Sequence, residues 1–383
     1  MNALLLAYVA SCVIGVAYGA HAPLIPVFVK QELAATYFDI GIIGMANYVP
    51  YMFAPALVGL LLDKLNKASI LSFGISIAMF SVFMLSFTNN VTDVMIVRAI
   101  TGIAHAFLWP SAIAIVTTGV SEEKRVQAVS RFTMAWVGGY MIGPLIGAFI
   151  FELVGFRQLF EYSAIMMMGA LAAAIALIKY VRGTPVEKYP INAVFTVFRA
   201  NPRLSTLIMY YSASFGIVLT IFPAYLKENA INEFMIGILF FIFGLSRLFT
   251  LPFTHKFAKY EMTSIFLATE AIAFAMLISY MITVFGSFSS SLILFGFAFS
   301  LYFPITLGIV TKHVPKQSVG ATIGAYETMF GIGWAVGPII SGIAADIYGS
   351  NIPYISMFIM GIIFPLFILK SSYRQRNPNS QDL

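Results

Sequence analysis

Ionisable side chains inside the apolar segments of this chain are few, and most of them are basic. Arg98, His105 and Arg247 each lie within a long hydrophobic run, and Glu327 is an acid in another. A guanidinium binds a carboxylate or a phosphate through paired hydrogen bonds, whereas an imidazole can exchange a proton near neutral pH. A charge inside a membrane span costs about 2.5 to 3.5 kcal/mol on insertion scales. These groups are therefore expected to face protein or a water-filled cavity rather than lipid.

Helical spacing groups some of these residues. His105 and Trp109 follow Arg98 by seven and eleven residues, which places all three on one face of a helix. Arg247 lies deepest in its run, and two roles remain open for it: binding an anionic solute or pairing with Glu327. Glu327 would carry a proton if its carboxyl is neutral, and would be a static partner of an arginine if it is charged.

The composition places the chain in a lipid bilayer. Hydrophobic residues make up 60% of the 383 and charged residues only 10%, which is far from the values of a soluble domain. We count twelve apolar runs, each long enough to cross a hydrocarbon layer as a helix. They cover approximately residues 3–29, 38–62, 68–88, 91–118, 126–152, 160–181, 204–226, 234–257, 262–285, 289–311, 319–345 and 352–369.

The loops carry an orientation signal. Most Lys and Arg residues fall in the loops that share a face with the two termini, which predicts cytoplasmic termini and a location in the plasma membrane. The same bias accounts for the net charge of +6, so no nucleic-acid partner is predicted. Cys12 is the single cysteine, which excludes a disulfide within the chain and a thiolate metal site. No cofactor is predicted, and a monomer is expected.

The chain is built from two copies of one unit. Gly143-Pro144 recurs at Gly337-Pro338, an offset of 194 residues, and an aromatic-proline pair recurs at the same offset. Paired membrane halves are typical of transporters whose substrate site lies between the repeats. The predicted organisation is a first six-helix half over residues 1–181, a cytoplasmic linker over 182–203, a second half over 204–371 and a tail over 372–383.

The loop after the second run carries a motif of its own. Gly59, Asp63, Lys64 and Lys67 stand at a spacing that resembles the loop signature of the major facilitator superfamily. The twelve runs, the two halves and the central linker extend this resemblance over the whole chain. It implies an all-α major facilitator fold that works by alternating access, with these four residues in a gating role. Here Gly59 would permit close helix approach and Asp63 would face a helix N-terminus.

A second motif lies in the fifth run. The stretch from Gly139 to Gly147 resembles the fifth-helix motif of proton-coupled drug antiporters in that superfamily, although Ala148 replaces its last glycine. Small residues permit close helix packing, and an internal proline bends a helix, so packing explains the motif as well as antiport does. The copy of this motif in the second half favours a rocker-helix role for the motif in both halves. The gating residues predicted here are Gly139, Gly143, Pro144, Gly333, Gly337 and Pro338.

The resemblance also defines which runs should line a central cavity. Many multidrug members of the antiporter group carry an acid in the first run, and here His21 is the titratable group available to replace it. The groups predicted to exchange protons are His21, Arg98 and Glu327. The residues predicted to line the cavity are Tyr18, His105, Trp109, Arg131, Tyr211, Arg247, Tyr302 and Trp334.

These features favour a secondary transporter of a small solute. The motifs favour proton-coupled efflux of drug-like or amphipathic compounds, and the alternative is uptake or exchange of organic anions, suggested by the intramembrane Arg and His residues. A non-transporting membrane sensor is a further alternative. No phosphate-binding glycine loop and no paired catalytic constellation is present in the sequence, so neither ATP hydrolysis nor an enzymatic activity is expected.

Overall fold

A computed structural model describes residues 3–62, 65–121, 125–181, 202–311 and 319–376. Within these ranges the chain forms helices and no strand. The linker predicted at 182–203 lies almost wholly outside them. The helices are α1 Ala3–His21, α2 Ile25–Glu32, α3 Tyr37–Leu62, α4 Lys67–Met84, α5 Val91–Thr118, α6 Arg125–Leu177, α7 Pro202–Thr220, α8 Phe222–Glu228, α9 Glu233–Thr250, α10 Thr254–Phe257, α11 Glu261–Met281, α12 Phe285–Thr311, α13 Val319–Tyr348 and α14 Ile352–Arg376.

Each of the twelve predicted runs falls on these helices, although they are divided differently. In the described ranges, seven helices are long and apolar enough to cross a membrane, or eight if α7 and α8, which meet at 46°, form one bent span. Two of the seven, Ala128–Leu177 and Glu233–Met281, each contain two predicted runs. We name α1–α6 the first half and α7–α14 the second half.

Local sequence chemistry sets several of the helix boundaries. Asn66 precedes α4, and its side chain accepts hydrogen bonds from the amides of Ala68 and Ser69, which satisfies donors that a helix start leaves unpaired. Asn90 and Asn232 cap α5 and α9 in the same way. Gly155, with φ 79° and ψ −174°, interrupts α6 in a conformation that only glycine adopts readily, so α6 consists of two spans.

Glycines bring α1 and α6 into backbone contact. A Cβ atom on Gly143 would lie 2.5 Å from the carbonyl oxygen of Val16 and 2.6 Å from the Cα of Gly19. Gly139 and Gly147 likewise face the α1 backbone. The glycines of the fifth-run motif therefore pack two helices of the first half against each other, whereas Pro144 of the same motif meets Gly237 of the second half.

The repeated motif has an equivalent place in the second half. A Cβ atom on Gly337 would lie 2.7 Å from the Cα of Ala213 on α7, and Gly333 faces Met209 and Ser212 of the same helix. Both copies of the motif thus join the first and the fifth span of their own half. The internal repeat seen in the sequence is a repeat of packing.

Different helices join the two halves to each other. α3 packs along α13, and α6 packs along α9. The glycines at these contacts lie outside the repeated motif: Gly41 on α3 faces Pro338, and Gly237 and Gly244 on α9 face Pro144 and Met141. A single apolar core containing Phe28, Ile40, Phe160, Phe222 and Phe240 continues from one half into the other.

The α1–α6 contact makes a stability prediction. Gly143→Leu is expected to destabilise the fold, because its side chain would meet backbone atoms that cannot move aside; overpacking costs about 1 to 3 kcal/mol or more. We expect Tm in detergent to fall by about 5 °C or more, since about 1 kcal/mol shifts Tm by 2 to 4 °C in a domain of this size.

Gly138→Leu is the matched control for this substitution. Gly138 lies on the same helix and has nothing within 4 Å of its Cβ position. Its Tm should stay close to that of the unsubstituted protein. Equal Tm values for the two variants would show that the contact does not limit stability.

Candidate functional site

The first half places a polar-aromatic cluster around Tyr18. The ring centroid of Tyr18 lies 4.8 Å from that of His105 and 5.4 Å from that of His21. His21 is fully buried, and its Nδ1 lies 2.7 Å from the carbonyl oxygen of Ala17, so Nδ1 carries the hydrogen and Nε2 is left as an acceptor. Neither His21 Nε2 nor the Tyr18 hydroxyl has a hydrogen-bond partner among the described residues.

Arg98 reaches the same cluster from α5. It lies within electrostatic range of the hydroxyl groups of Tyr18, Tyr48 and Tyr140. No ion pair or hydrogen bond of its guanidinium is found in the described part of the chain. His105, on the same face of α5 as Arg98, contacts Tyr18 inside the first half.

The second half contributes a stack of aromatic rings. Tyr211 of α7 and Tyr302 of α12 lie parallel, with centroids 4.5 Å apart and an interplanar angle of 6°. Phe330 of α13 is 5.4 Å from Tyr211. The Tyr211 hydroxyl is buried without a partner among the residues described. A buried hydroxyl in this condition costs free energy unless a ligand or water completes its hydrogen bonds.

The guanidinium of Arg247 packs on aromatic rings and forms no ion pair with an acid among the described residues. Its guanidinium carbon is 4.5 Å from the centroid of Phe299 and 5.6 Å from that of Phe243. Its Nε is buried and has no hydrogen-bond partner within the described ranges. Cation–π contacts fix the guanidinium in place without neutralising its charge.

Glu327 of α13 is half-buried and does not pair with Arg247. The ion pairs found among the described residues are Arg157–Glu32 and Lys227–Glu233, and neither involves these two side chains. Of the two roles left open for Arg247, internal pairing with Glu327 is thus not present in this structure. Glu327 instead lies within electrostatic range of Tyr51 on α3 and Tyr211 on α7.

An aromatic contact between the halves lies near these groups. Tyr48 of α3 stacks on Trp334 of α13 with centroids 3.9 Å apart and an interplanar angle of 29°. Trp334 also meets Phe215 at 4.8 Å. Its indole Nε1 donor is buried, and no partner for it exists in the described part of the molecule.

The other residues predicted for the cavity are placed differently. Trp109 packs on Trp136, with centroids 4.6 Å apart, and lines a small cavity inside the first half among α1, α4, α5 and α6. Arg131 is exposed, and the structure does not bring it to the cluster around Tyr18. Sequence spacing could not show this, because Arg131 lies on another part of the α6 surface.

The predicted loop motif is only partly covered by the structure. Asp63 and Lys64 lie outside the described residues. Gly59 belongs to α3. Lys67 begins α4 and is fully buried there. The gating role of this loop stays a prediction.

A polar latch between the halves was missed by the sequence analysis. Asp346, near the end of α13, accepts hydrogen bonds at 2.9 Å and 2.8 Å from the backbone amides of Tyr37 and Phe38, the first two residues of α3. The Tyr37 hydroxyl donates to Glu228 at the end of α8. A carboxylate at a helix N-terminus satisfies unpaired amides and favours the helix dipole.

The latch lies on one end of the molecule. We name this end the distal face, because it carries the connections opposite the two termini; the other end is the terminal face. Next to the latch, Gly44 of α3 touches Thr220 of α7, with its Cβ position 2.7 Å from Thr220 Cγ2. The two halves are therefore closed against each other at the distal face. The sequence signal for the latch was a single acid, Asp346, near the end of an apolar run. The sequence did not indicate which residues this acid would contact.

Comparison with known proteins decides the family. The model of the Major Facilitator Superfamily matches residues 7–292 and, in a second match, residues 204–382. The chain belongs to the major facilitator superfamily. The resemblance found in the sequence motifs is thereby confirmed, and so is the all-α membrane fold that it implied.

Relatives in this superfamily share most of the chain. An uncharacterized MFS-type transporter of Methanocaldococcus jannaschii is 26% identical over 93% of both chains. The quinolone resistance protein NorA of Staphylococcus aureus is 23% identical over 86% of both chains. A solved POT family transporter in complex with 5-aminolevulinic acid gives a TM-score of 0.85 at 12% identity, covering 97% of this chain and 96% of that one. The nucleoside transporter NupG gives 0.77 at 16% identity, covering 97% and 99%.

The latch leads to a prediction about access from the distal face. Asp346→Asn removes the charge that faces the α3 amides, which should favour separation of the halves there. In a Cys12→Ser background, the rate at which a membrane-impermeant maleimide labels Thr220→Cys should rise by about 3- to 10-fold, as expected for the loss of about 1 kcal/mol.

Asp39→Asn provides the control for this experiment. Asp39 lies in the same first turn of α3, but its carboxylate accepts from Thr36 within the same half. In the Asp39→Asn variant, the rate at which Thr220→Cys is labelled should not change. A rise of equal size in both variants would mean that fraying of α3, and not a contact between the halves, controls access.

Proposed function

We propose that this transporter exports amphipathic organic compounds from the cytoplasm in exchange for protons. Membership in the major facilitator superfamily supports transport of a small solute across a membrane. The export direction and the proton are the proposed parts. Similarity to NorA, whose name is that of a quinolone resistance protein, supports export. The proposed orientation puts both termini in the cytoplasm of a plasma-membrane protein.

One observation carries the proposal. Polar groups from both halves lie at membrane depth without partners in the described residues, beneath a closed distal face: the Tyr18 hydroxyl, the Tyr211 hydroxyl and Trp334 Nε1 are examples. Buried polar groups normally have hydrogen-bond partners, so these atoms fit a site that a solute occupies during part of a cycle. The aromatic rings around them fit the apolar part of an amphipathic solute.

Alternating access follows from how the halves are joined. A solute would enter from the terminal face while the latch is closed, and leave at the distal face after the latch separates. The contacts that must break are Asp346 with the α3 amides and Tyr37 with Glu228. The contacts within each half, such as Gly143 on α1, remain intact, so each half moves as one body.

Glu327 is the proposed proton carrier. It is the carboxyl at membrane depth that lies beside the aromatic cluster, and no cation pairs with it among the described residues. An unpaired carboxylate in such a place is costly, so binding of a proton removes the penalty and its release restores it. His21 and Arg98 were also predicted to exchange protons. The burial of His21 between Tyr18 and Phe160 fits that role less well.

Vesicle transport tests the proposed function. The full-length protein is reconstituted with a trapped pH indicator, and a panel of aromatic acids, amides and amines is added without an imposed gradient. We expect at least one solute to drive proton movement in the direction opposite to its own. Glu327→Gln should abolish this proton movement and keep solute counterflow, because exchange of solute for solute needs no proton.

Glu270→Gln is the matched substitution, since Glu270 is a half-buried acid in α11. It should retain both activities. Solute counterflow without any proton movement in the unsubstituted protein would refute proton coupling, and the absence of all solute movement over the panel would favour the membrane-sensor alternative.

A further inference from the structure

Contacts on several sides hold the indole of Trp334 in place. Its centroid lies 3.9 Å from the ring of Tyr48, 4.8 Å from that of Phe215 and 5.3 Å from that of Phe330. On α7, a Cβ atom at Gly216 would lie 2.7 Å from Cδ1 of the indole, the carbon bonded to Nε1. A side chain at that position would push the indole aside, so the glycine leaves room for it. The position of the indole is therefore fixed by the shape of its surroundings.

The indole of Trp334 has one polar atom, and that atom has no partner. Nε1 is buried, and no hydrogen-bond partner for it is found among the described residues. An indole N–H donates and cannot accept, so only an acceptor can complete it. Phenylalanine would make similar ring contacts at this position without burying an unpaired donor. The N–H is therefore suited to an acceptor that the solute carries.

Other unpartnered atoms beside the same rings can donate as well. Phe215 stacks on Phe299 with centroids 4.0 Å apart, and the guanidinium carbon of Arg247 lies 4.5 Å from the Phe299 ring. The ring of Tyr211 is 5.1 Å from that of Phe299. Arg247 Nε and the Tyr211 hydroxyl are both buried without partners in the described ranges. Because a guanidinium only donates and a hydroxyl can donate, these rings match an aromatic solute that bears acceptors, and they do not match an ammonium, which has donors alone.

From these contacts we propose that Trp334 determines specificity, with its indole N–H donating to an acceptor on the transported solute. The substrate class is an amphipathic aromatic compound, neutral or anionic, with a carbonyl, a carboxylate or a ring nitrogen at the edge of its ring system. This inference rests on the proposed transport function and specifies its substrate. Tyr48 belongs to the other half, so rearrangement of the halves changes what covers the indole and gives the acceptor access to it.

Nuclear magnetic resonance of the indole groups in the purified full-length protein tests the contact directly. The chain has three tryptophans, so an isotope-labelled sample gives three indole N–H signals, and Trp334→Phe identifies the relevant one. The probes are acetylnaphthalene and isopropenylnaphthalene, which share a shape, although only the ketone accepts a hydrogen bond. We expect the proton signal of Trp334 to lie further downfield with the ketone than with the alkene. Equal positions with the two probes would overturn the proposal.

Equilibrium dialysis, corrected for uptake by protein-free micelles, measures the selectivity. The ketone should bind about 5- to 10-fold more tightly than the alkene, which is the size of one hydrogen bond. Naphthylmethylammonium, a third probe with the same ring system, should bind most weakly because its polar group only donates. An alkene that binds as tightly as the ketone, or an ammonium that binds best, would contradict the assigned substrate class.

A substitution that keeps the ring contacts separates recognition from packing. Trp334→Phe should lower the preference for the ketone to about 2-fold or less and should change affinity for the alkene by less than about 2-fold. A purely structural Trp334 would instead weaken binding of both probes equally. Trp136→Phe is the matched control, since Trp136 is an indole of the first half that packs on Trp109 at 4.6 Å. It should keep the full preference, and a preference that survives in Trp334→Phe would reject the assignment.

The design remains decisive if Trp334→Phe does not fold. Trp109→Phe and Trp136→Phe then assign the Trp334 signal by elimination, and the two probes are compared on the unsubstituted protein. Neither measurement needs a membrane or a gradient, so failure of proton exchange in vesicles would leave its result intact. Vesicles that export the alkene as rapidly as the ketone, with coupled protons, would support the proposed function and reject selection by Trp334.

Discussion

The interaction on which this structure depends is the contact between the two halves at the distal face. There the Asp346 carboxylate of one half accepts hydrogen bonds from the first two backbone amides of α3 in the other half. An apolar core also continues across the boundary. Helix termini carry unsatisfied amides, and at the edge of a membrane these need a partner. By supplying a carboxylate from the opposite half, the chain makes the start of one helix depend on the position of another. Separation of the halves must then replace these hydrogen bonds with water.

The close packing within each half is what makes such a movement coherent. Glycines on α6 and α13 place backbones in contact with α1 and α7, which leaves little freedom for the helices of one half to slide past each other. The contacts between halves use other glycines, such as Gly41 and Gly237, and are accompanied by the Tyr48–Trp334 stack. Movement is therefore expected to be concentrated at the α3–α13 and α6–α9 contacts, with the unpaired charges of the interior between them.

Much of the fold could be predicted from the sequence, because helices that span a membrane require long apolar runs, which are easy to recognise. Every predicted run coincides with helical residues, and the repeat at 194 residues corresponds to a repeat of packing. The choice of partners could not be predicted: Gly143 and Gly337 pack inside their own halves, whereas Pro144 and Pro338 beside them meet the other half, and the gating role of the motif stays a prediction. Spacing along one helix shows which residues share a face, but it does not show which helix that face meets. For the same reason the exposure of Arg131 and the latch at Asp346 were not foreseen.

Alternating access requires two rigid halves that pivot about a contact closing one face at a time. Electron–electron distance measurements test it directly, with spin labels at Thr92 and Thr283 on the distal face and at Leu65 and Lys259 on the terminal face, all exposed positions, in a Cys12→Ser background. In an Asp346→Ala, Tyr37→Phe variant, the distance between the distal labels should lengthen while that between the terminal labels shortens. Lengthening at the distal face with no change at the terminal face would contradict a movement of whole halves, because it would mean local fraying of the distal contact.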